Sequence, residues 1–267
     1  MNILLAFLVV AAVGLVAGIL LALISRFFGV EEDERVKAVR ACLPGANCGA
    51  CGYKGCDDYA SALAEGKAAA NLCIPGSDAT AAELGAVLGI EVEPPKNATA
   101  FVHCRGNCTV TEKRADYEGV QSCRAAAMLF GGPEACRFGC LGLGDCVKVC
   151  PSDAICLKDG IAHVNPSLCK GCGLCASACP KGIISVIPKE ASAVVLCSNK
   201  DKGADARKAC KSACIGCKKC EKLCPSEAIK VVDQLARVDY DKCTGCGACI
   251  EGCPMGCLDA LSFAKYV

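Results

Sequence analysis

Apolar residues gather into one long run near the start of the chain and into short runs thereafter. From Ile3 to Ile24, 22 residues, there is no charge and hardly a polar atom. As a helix rising ~1.5 Å per residue this run covers roughly the ~30 Å hydrocarbon core of a bilayer, so the pattern predicts a transmembrane anchor over 1–28. Met1-Asn2 carries no basic side chain and no small-x-small site follows Ser25, which reads against a cleaved signal peptide. Arg26, Arg35, Lys37 and Arg40 flank the C-terminal side, so the positive-inside rule puts the rest of the chain in the cytoplasm. The expected location is the cell (inner) membrane, single-pass, with cytoplasmic cluster domains.

Beyond the anchor the pattern predicts an Ala-rich helix over Asp57–Ala70 and a linker from Glu91 to Asn97. Two short β-rich hairpins are expected around Ile161–Asn165 and Ala236–Tyr240, with two short helices after the Cys-Pro turns of each unit. Composition then changes the picture. Of 267 residues 28 are cysteine, Trp is absent and aromatics make up 4%. Domains this poor in large apolar groups need staples. A reducing compartment favours metal over disulfides in that role. Net charge is +1, with 29 basic and 28 acidic residues, so no nucleic-acid partner is expected.

The cysteines follow a rhythm. Cys169, Cys172, Cys175 and Cys179-Pro180 form C-x2-C-x2-C-x3-C-P, and Cys243, Cys246, Cys249 and Cys253-Pro254 repeat it. In bacterial ferredoxins three cysteines of such a run hold one [4Fe–4S] cube and the fourth crosses to the other. An offset of 74 aligns nine cysteine pairs: 123/197, 136/210, 140/214, 146/220, 150/224, 169/243, 172/246, 175/249 and 179/253. The chain therefore reads as a duplication of a two-cluster ferredoxin unit. The exchange rule gives two complete sets in the second copy: Cys214, Cys217, Cys220 and Cys253; and Cys243, Cys246, Cys249 and Cys224. The first copy gives Cys169, Cys172, Cys175 and Cys150. Its other set has Cys140, Cys146 and Cys179, but Leu143 stands where the second copy has Cys217. Cys136 is the favoured fourth ligand, with Cys104, Cys108 and Cys123 as alternatives.

A separate module precedes the repeats: Leu43-Pro-Gly-Ala-Asn-Cys48-Gly-Ala-Cys51-Gly-Tyr-Lys-Gly-Cys56, then Cys73. Glycines 49, 52 and 55 allow left-handed turns that aim several thiolates at one point. Four cysteines also suit tetrahedral zinc, but the redox company favours a cluster. Together the anchor, this module and the ferredoxin units resemble the B subunit of the Rnf complex, an ion-translocating ferredoxin:NAD+ oxidoreductase, in a long form with two ferredoxin domains. The resemblance implies electron relay from soluble reduced ferredoxin to flavin-bearing and membrane partner subunits, coupled to Na+ or H+ movement.

The expected fold is α+β: a transmembrane helix (1–28), a 4Fe-4S module (29–92), a ferredoxin-like domain with an N-terminal extension (93–190) and a second such domain (191–267). Five [4Fe–4S] clusters are expected. A sixth is left open by Cys104, Cys108, Cys123, Cys197 and Cys210, including a set drawn from the pairs 123/197 and 136/210. Cys42, Cys156 and Cys257 read as small buried apolar residues. His103 and His163 read as structural. Residues 200–222 carry eight basic and three acidic side chains, a collar suited to an acidic ferredoxin. The rival function is an iron–sulfur carrier or activase serving a different reductase.

Overall fold

The computed structural model describes residues 2–27, 33–93 and 97–261. Helix α1 spans Asn2–Phe27. Among the described residues, no helix is long and apolar enough to cross a membrane. The expected transmembrane helix, and with it the single-pass membrane location, is thereby corrected. Part of the linker, 94–96, and the last six residues of the expected second ferredoxin domain lie outside the described residues.

Helices α2 (Glu34–Cys42), α3 (Cys56–Ala64) and α4 (Ser77–Leu88) form the next layer, packed around Val39, Tyr59, Leu63 and Leu84. Asp57 and Asp58 occupy the first turn of α3, where carboxylates favour the helix dipole. The helix stops at Ala64 and does not run on to Ala70. Gly66 at φ 70° turns the chain and donates its amide to the Leu63 carbonyl. Glycine reaches that left-handed conformation at little cost, which is why it ends helices.

The remainder contains β1 (Ala98–Val102), α5 (Cys123–Met128), α6 (Asp145–Lys148), β2 (Ile155–Lys158), β3 (Ile161–Val164), α7 (Leu174–Ala178) and β4 (Ile184–Pro188). There follow β5 (Val194–Val195), α8 (Gly203–Ala209), α9 (Lys219–Leu223), β6 (Ile229–Val232), β7 (Leu235–Val238), α10 (Ala248–Glu251) and β8 (Leu258–Asp259). The elements α9, β6, β7, α10 and β8 each begin 74 residues after α6, β2, β3, α7 and β4. The repeat seen in the cysteines is thus a repeat of backbone. The short helices lie inside the cysteine runs, ahead of the Cys-Pro turns, and those turns lead into strands. That corrects the expected order. Cys150 follows Cys146 by four residues, too few for the chain to do more than one helical turn between two sulfurs aimed at different centres.

All sheets are two-stranded and antiparallel: β1 with β4, β2 with β3, β5 with β8, and β6 with β7. Asp159-Gly160 closes the first hairpin with φ 52° and 79°, the signature of a tight turn matched to strand twist. Asp233-Gln234 does the same at φ 51° and 63°, with Gln where glycine would be at ease. Two cores result. One gathers Ala193, Val195, Ile229, Leu235 and Leu258 with seven buried cysteines. The other gathers Val102, Ile155, Val164, Ile183 and Ile184 with Cys146, Cys169 and Cys175.

The segment after β1 ties the two units together. The Nδ1 of His103 lies 2.7 Å from the Val195 carbonyl and its Nε2 lies 2.6 Å from the Ser185 hydroxyl. A carbonyl only accepts, so Nδ1 carries the proton and Nε2 accepts from Ser185. Burial, opposed by the Val195 bond, holds His103 below its ordinary pKa, so the ring is neutral. Both nitrogens are engaged, which removes His103 from the candidate ligands. Ser198 donates to the His103 carbonyl at 2.8 Å, and Arg105 to that of Gly256 at 3.1 Å. His103→Ala should cost roughly 1–3 kcal/mol, the penalty for stranding buried hydrogen-bond partners. Denaturant unfolding of the metallated protein would measure this, and a change below about 0.5 kcal/mol would show that the clamp is dispensable.

Candidate metal centres

In the N-terminal module, Cys48, Cys51, Cys56 and Cys73 line one cavity beneath Tyr59. Asn47 (φ 46°), Gly49 (φ 70°) and Gly52 (φ 87°) supply the left-handed turns. Gly55 is different. Its φ of −171° is open to any residue, and it is needed for room, because a Cβ there would lie 3.0 Å from Asn47 Oδ1. That oxygen accepts the Cys56 amide at 2.8 Å. Cys73 arrives from the other side of Tyr59, whose hydroxyl donates to the Ala69 carbonyl at 2.7 Å and accepts from the Leu72 amide at 3.3 Å. Burial, and then the charges of Cys56, Cys48 and Cys51, raise the Cys73 thiol.

In the second ferredoxin unit Cys220 and Cys249 each sit among thiols of the run that carries them. Burial pushes Cys220 up to about 11, aided by Cys214, Cys217 and Cys253 beside it. Burial likewise raises Cys249, with Cys243, Cys224 and Cys246 around it. In the first unit Cys175 is pushed up to about 11 by burial and then by Cys169, Cys172 and Cys150. Backbone amides point at these sulfurs: Ala100 to Cys169 at 3.3 Å, Gly171 to Cys169 at 3.4 Å and Ala154 to Cys150 at 3.3 Å. A Cβ on Gly171, which sits at φ 72°, would lie 2.7 Å from the Ala98 carbonyl, so β1 closes against the cysteine loop only because glycine is there.

The imperfect set has an upstream neighbour. Cys146 is pushed up to about 12 by burial and then by Cys140, Cys123 and Cys179. Cys123 therefore stands among the thiols of the set that lacks a cysteine at Leu143. The cause is Asp145, whose Oδ2 accepts the Ser122 hydroxyl at 2.8 Å and the Arg124 amide at 3.0 Å. These bonds bracket Cys123 and pin the start of α5 beside Cys146. Although burial works the other way, they hold the Asp145 carboxyl below its usual value.

Cys136, the expected fourth ligand beside Cys140, shares one cavity with it and with Cys104, Cys197 and Cys210, and of these thiols it is Cys210 that raises it after burial. Cys108 is exposed, next to Gly160, and joins no set. Cys156 is also exposed, against the expectation of burial, at a β2 position opposite His163. Cys42 is half-buried and its Sγ donates to the Ala38 carbonyl at 3.4 Å. Cys257 is buried, with its Sγ 3.5 Å from that of Cys253. It also hydrogen-bonds Cys214, lowering that thiol to about 6 while its own rises.

The donor sets fit iron–sulfur cubes. A thiol raised by burial resists ionisation unless a cation shares the site, and thiolate is the form that binds metal. Among the described residues, no group of three or more His, Cys, Asp or Glu converges tightly enough for one metal ion. Zinc requires sulfurs at ~2.3 Å from a single ion, whereas a cube presents an iron at each of four corners.

Comparison with known proteins agrees. Residues 43–75 match the family described as "Putative Fe-S cluster", 136–154 and 162–185 match 4Fe-4S binding domains, and 207–254 match a 4Fe-4S dicluster domain. The chain is 46% identical over 246 residues to the B subunit of the Na(+)-translocating ferredoxin:NAD(+) oxidoreductase complex of Acetobacterium woodii, covering 92% of this chain and 74% of the relative. It is 40% identical over 252 residues to the B subunit of the ion-translocating oxidoreductase complex of Methanosarcina acetivorans, covering 94% and 96%. The chain belongs to the B-subunit family of these complexes. A third member, the B subunit of the proton-translocating ferredoxin:NAD(+) oxidoreductase complex of Clostridium ljungdahlii, is 40% identical over 257 residues, covering 95% and 90%.

Within this B-subunit chain, Cys104, Cys123 and Cys197 fall outside every matched segment. The pairing 123/197 at an offset of 74 is the sequence signal that points to two of them. Asp145 carries no such signal. Asp145→Ala should release Cys123 and lower iron by about four per chain, one cube. Asp145→Asn, which keeps an accepting oxygen, should retain most of it. Anaerobic iron and sulfide analysis checks both, and full iron in Asp145→Ala would show that Cys123 needs no such tether.

Proposed function

We propose that this chain is the electron-relay subunit of an ion-translocating ferredoxin:NAD+ oxidoreductase, accepting electrons from reduced soluble ferredoxin and passing them to flavin-bearing partner subunits. One observation carries the reading. Five four-cysteine sets can be drawn along the chain, and at two junctions thiols of neighbouring sets lie within electrostatic reach of each other. Cys172 is raised by burial and by the charges of Cys169, Cys48 and Cys150, so the N-terminal set lies within electrostatic reach of the first ferredoxin unit. Cys146 feels Cys175, so the two sets of that unit lie within the same reach. Bound [4Fe–4S] clusters would supply one-electron exchange; the protein contributes thiolates, amides aimed at sulfur and a buried environment.

In this reading, residues 29–92 are a one-cluster module, and 93–190 and 191–267 are two ferredoxin-like units. The ligands are Cys48, Cys51, Cys56 and Cys73; Cys123, Cys140, Cys146 and Cys179; Cys150, Cys169, Cys172 and Cys175; Cys214, Cys217, Cys220 and Cys253; and Cys224, Cys243, Cys246 and Cys249. Support for a ferredoxin donor comes from charge. Lys200, Lys202, Arg207, Lys208, Lys211, Lys218, Lys219 and Lys222 are all exposed. Of the nearby acids, Asp201 is already paired to Arg137 at 2.6 Å. Cys217 is exposed amid Lys218, Lys219 and Lys222, so the basic collar surrounds the most accessible edge of a ligand set.

The purified chain should contain at least about 20 irons, four for each of five cubes. Near-stoichiometric zinc without iron would overturn the reading. Reduction by ferredoxin should slow steeply between low and physiological salt, because electrostatic steering is screened within ~8–10 Å. Lys218→Glu with Lys219→Glu should lower the second-order rate roughly tenfold at low salt. A rate indifferent to both would sink the docking assignment and leave the iron count standing.

A further inference from the structure

Four cysteines outside the five sets meet where the two ferredoxin units face each other. A Cβ built on Gly106 would lie 3.4 Å from Cys210 Sγ and 3.6 Å from Cys104 Sγ, so both sulfurs border the same small space. Cys136 and Cys197 line that cavity too, as does Cys140 of the adjoining set. They are joined by Asn199, only 1% exposed, whose side-chain amide donates to Cys136 Sγ at 3.5 Å and whose backbone amide donates to Cys197 Sγ at 3.4 Å.

A second observation points to a missing partner in the same place. Thr111 is 7% exposed and lines this cavity, and among the described residues its Oγ1 is the buried side-chain oxygen without a hydrogen-bond partner. It would lie 2.7 Å from the Cβ built on Gly106, on the side that faces Cys104 and Cys210. An orphaned hydroxyl is expensive in a protein interior unless something accepts from it, and an inorganic sulfide or a thiolate does.

The geometry points to a sixth iron–sulfur site, a [4Fe–4S] cluster held by Cys104, Cys136, Cys197 and Cys210 across the seam between the two ferredoxin units. This inference rests on the iron–sulfur reading above. Its ligands come from the extension, the first copy and the second copy, so the site is also a staple between units. The Cys140 amide donates to Cys104 Sγ at 3.4 Å and the Cys214 amide to Cys197 Sγ at 3.3 Å. The site therefore adjoins one ligand set of each unit and places a redox group between them. A cluster there would supply one-electron exchange, with no bond in the protein made or broken.

The duplication explains how these ligands came free. In the first copy Cys123 is taken by the Cys140 set, which lacks a cysteine at Leu143, and Cys136 is left over. In the second copy Cys217 fills the corresponding position, so Cys197 and Cys210 are both left over. Cys104 then completes the four.

The test is anaerobic iron, sulfide and zinc analysis of the full chain with Cys104→Ser and Cys197→Ser, and with Cys108→Ser as the control outside every set. Each of the first two should lose about four irons and four sulfides per chain, while the control keeps the full complement. Reduced-state EPR should lose one component and keep the others. If the serine variants fail to fold, Thr111→Val leaves the ligands in place. It should shift one reduction midpoint to lower potential at unchanged iron, since the hydroxyl no longer supports the reduced form. Unaltered iron in both serine variants, no shifted midpoint in Thr111→Val, or one zinc lost in place of four irons would each overturn the sixth site. A wild-type chain without iron would instead overturn the function proposed above.

Discussion

Buried thiols crowded against one another are the constraint on which this structure depends. A thiol taken out of water resists ionisation, and a second thiolate nearby increases the resistance, as the raised values at Cys104, Cys146, Cys175, Cys197 and Cys220 record. Metal reverses that preference by supplying positive charge where the sulfurs converge. The cores around these sulfurs are built from Ala, Val, Ile and Leu with cysteines among them, and large aromatic side chains contribute little. Two-stranded sheets and helices of four or five residues have little stability of their own. Folding and metal binding are therefore one process here, and each ligand set organises the short elements around it.

Duplication under that constraint produces divergence without a change of fold. The copies keep the same helices and hairpins at a spacing of 74, yet the pairs 123/197 and 136/210 serve different neighbours. A single difference, Leu143 against Cys217, suffices. An incomplete set draws in the nearest spare thiol, and Asp145 fixes the segment that carries it. The thiol displaced from that duty, Cys136, then faces the second unit. The units are thus not interchangeable beads. Their junction uses cysteines that neither copy needs for itself.

What can be read from the sequence follows how local each determinant is. The Cys150–Cys175 set and both sets of the second unit are fixed by spacing of two to four residues and one crossing, and spacing is visible in a string. The hairpins are legible for the same reason, since Asp159-Gly160 sets its turn without outside help. The partner of β4 is not legible, because β1 lies outside the repeat and pairs across more than eighty residues. Cys123 is one of several candidates in the string, and only the hydrogen bonds of Asp145 separate it from Cys136. Alanine content hides the stop at Gly66, so the helix after Cys56 reads too long. Helices expected after the Cys-Pro turns lie before them, because each run needs its helical turn between sulfurs. Apolar length alone suggests a membrane anchor, and among the described residues no helix meets that requirement.

The direction of the assembly follows from where its sulfurs reach the surface. Cys48 of the N-terminal module lies within electrostatic reach of Cys172 in the first unit, and the first unit meets the second through the seam that Cys104 and Cys197 border. At the far end Cys217 and Cys246 are exposed, whereas Cys48, Cys51 and Cys73 are half-buried and Cys56 is buried. The exposed basic side chains of 200–222 cluster at that same far end, around Cys217. Nearly balanced charge over the whole chain thus conceals a local excess. A negatively charged carrier approaching from solution is drawn by the local field, because screening confines each charge to about a Debye length. The charge asymmetry and the exposure asymmetry agree, and together they support the proposal that a soluble ferredoxin docks on the second unit.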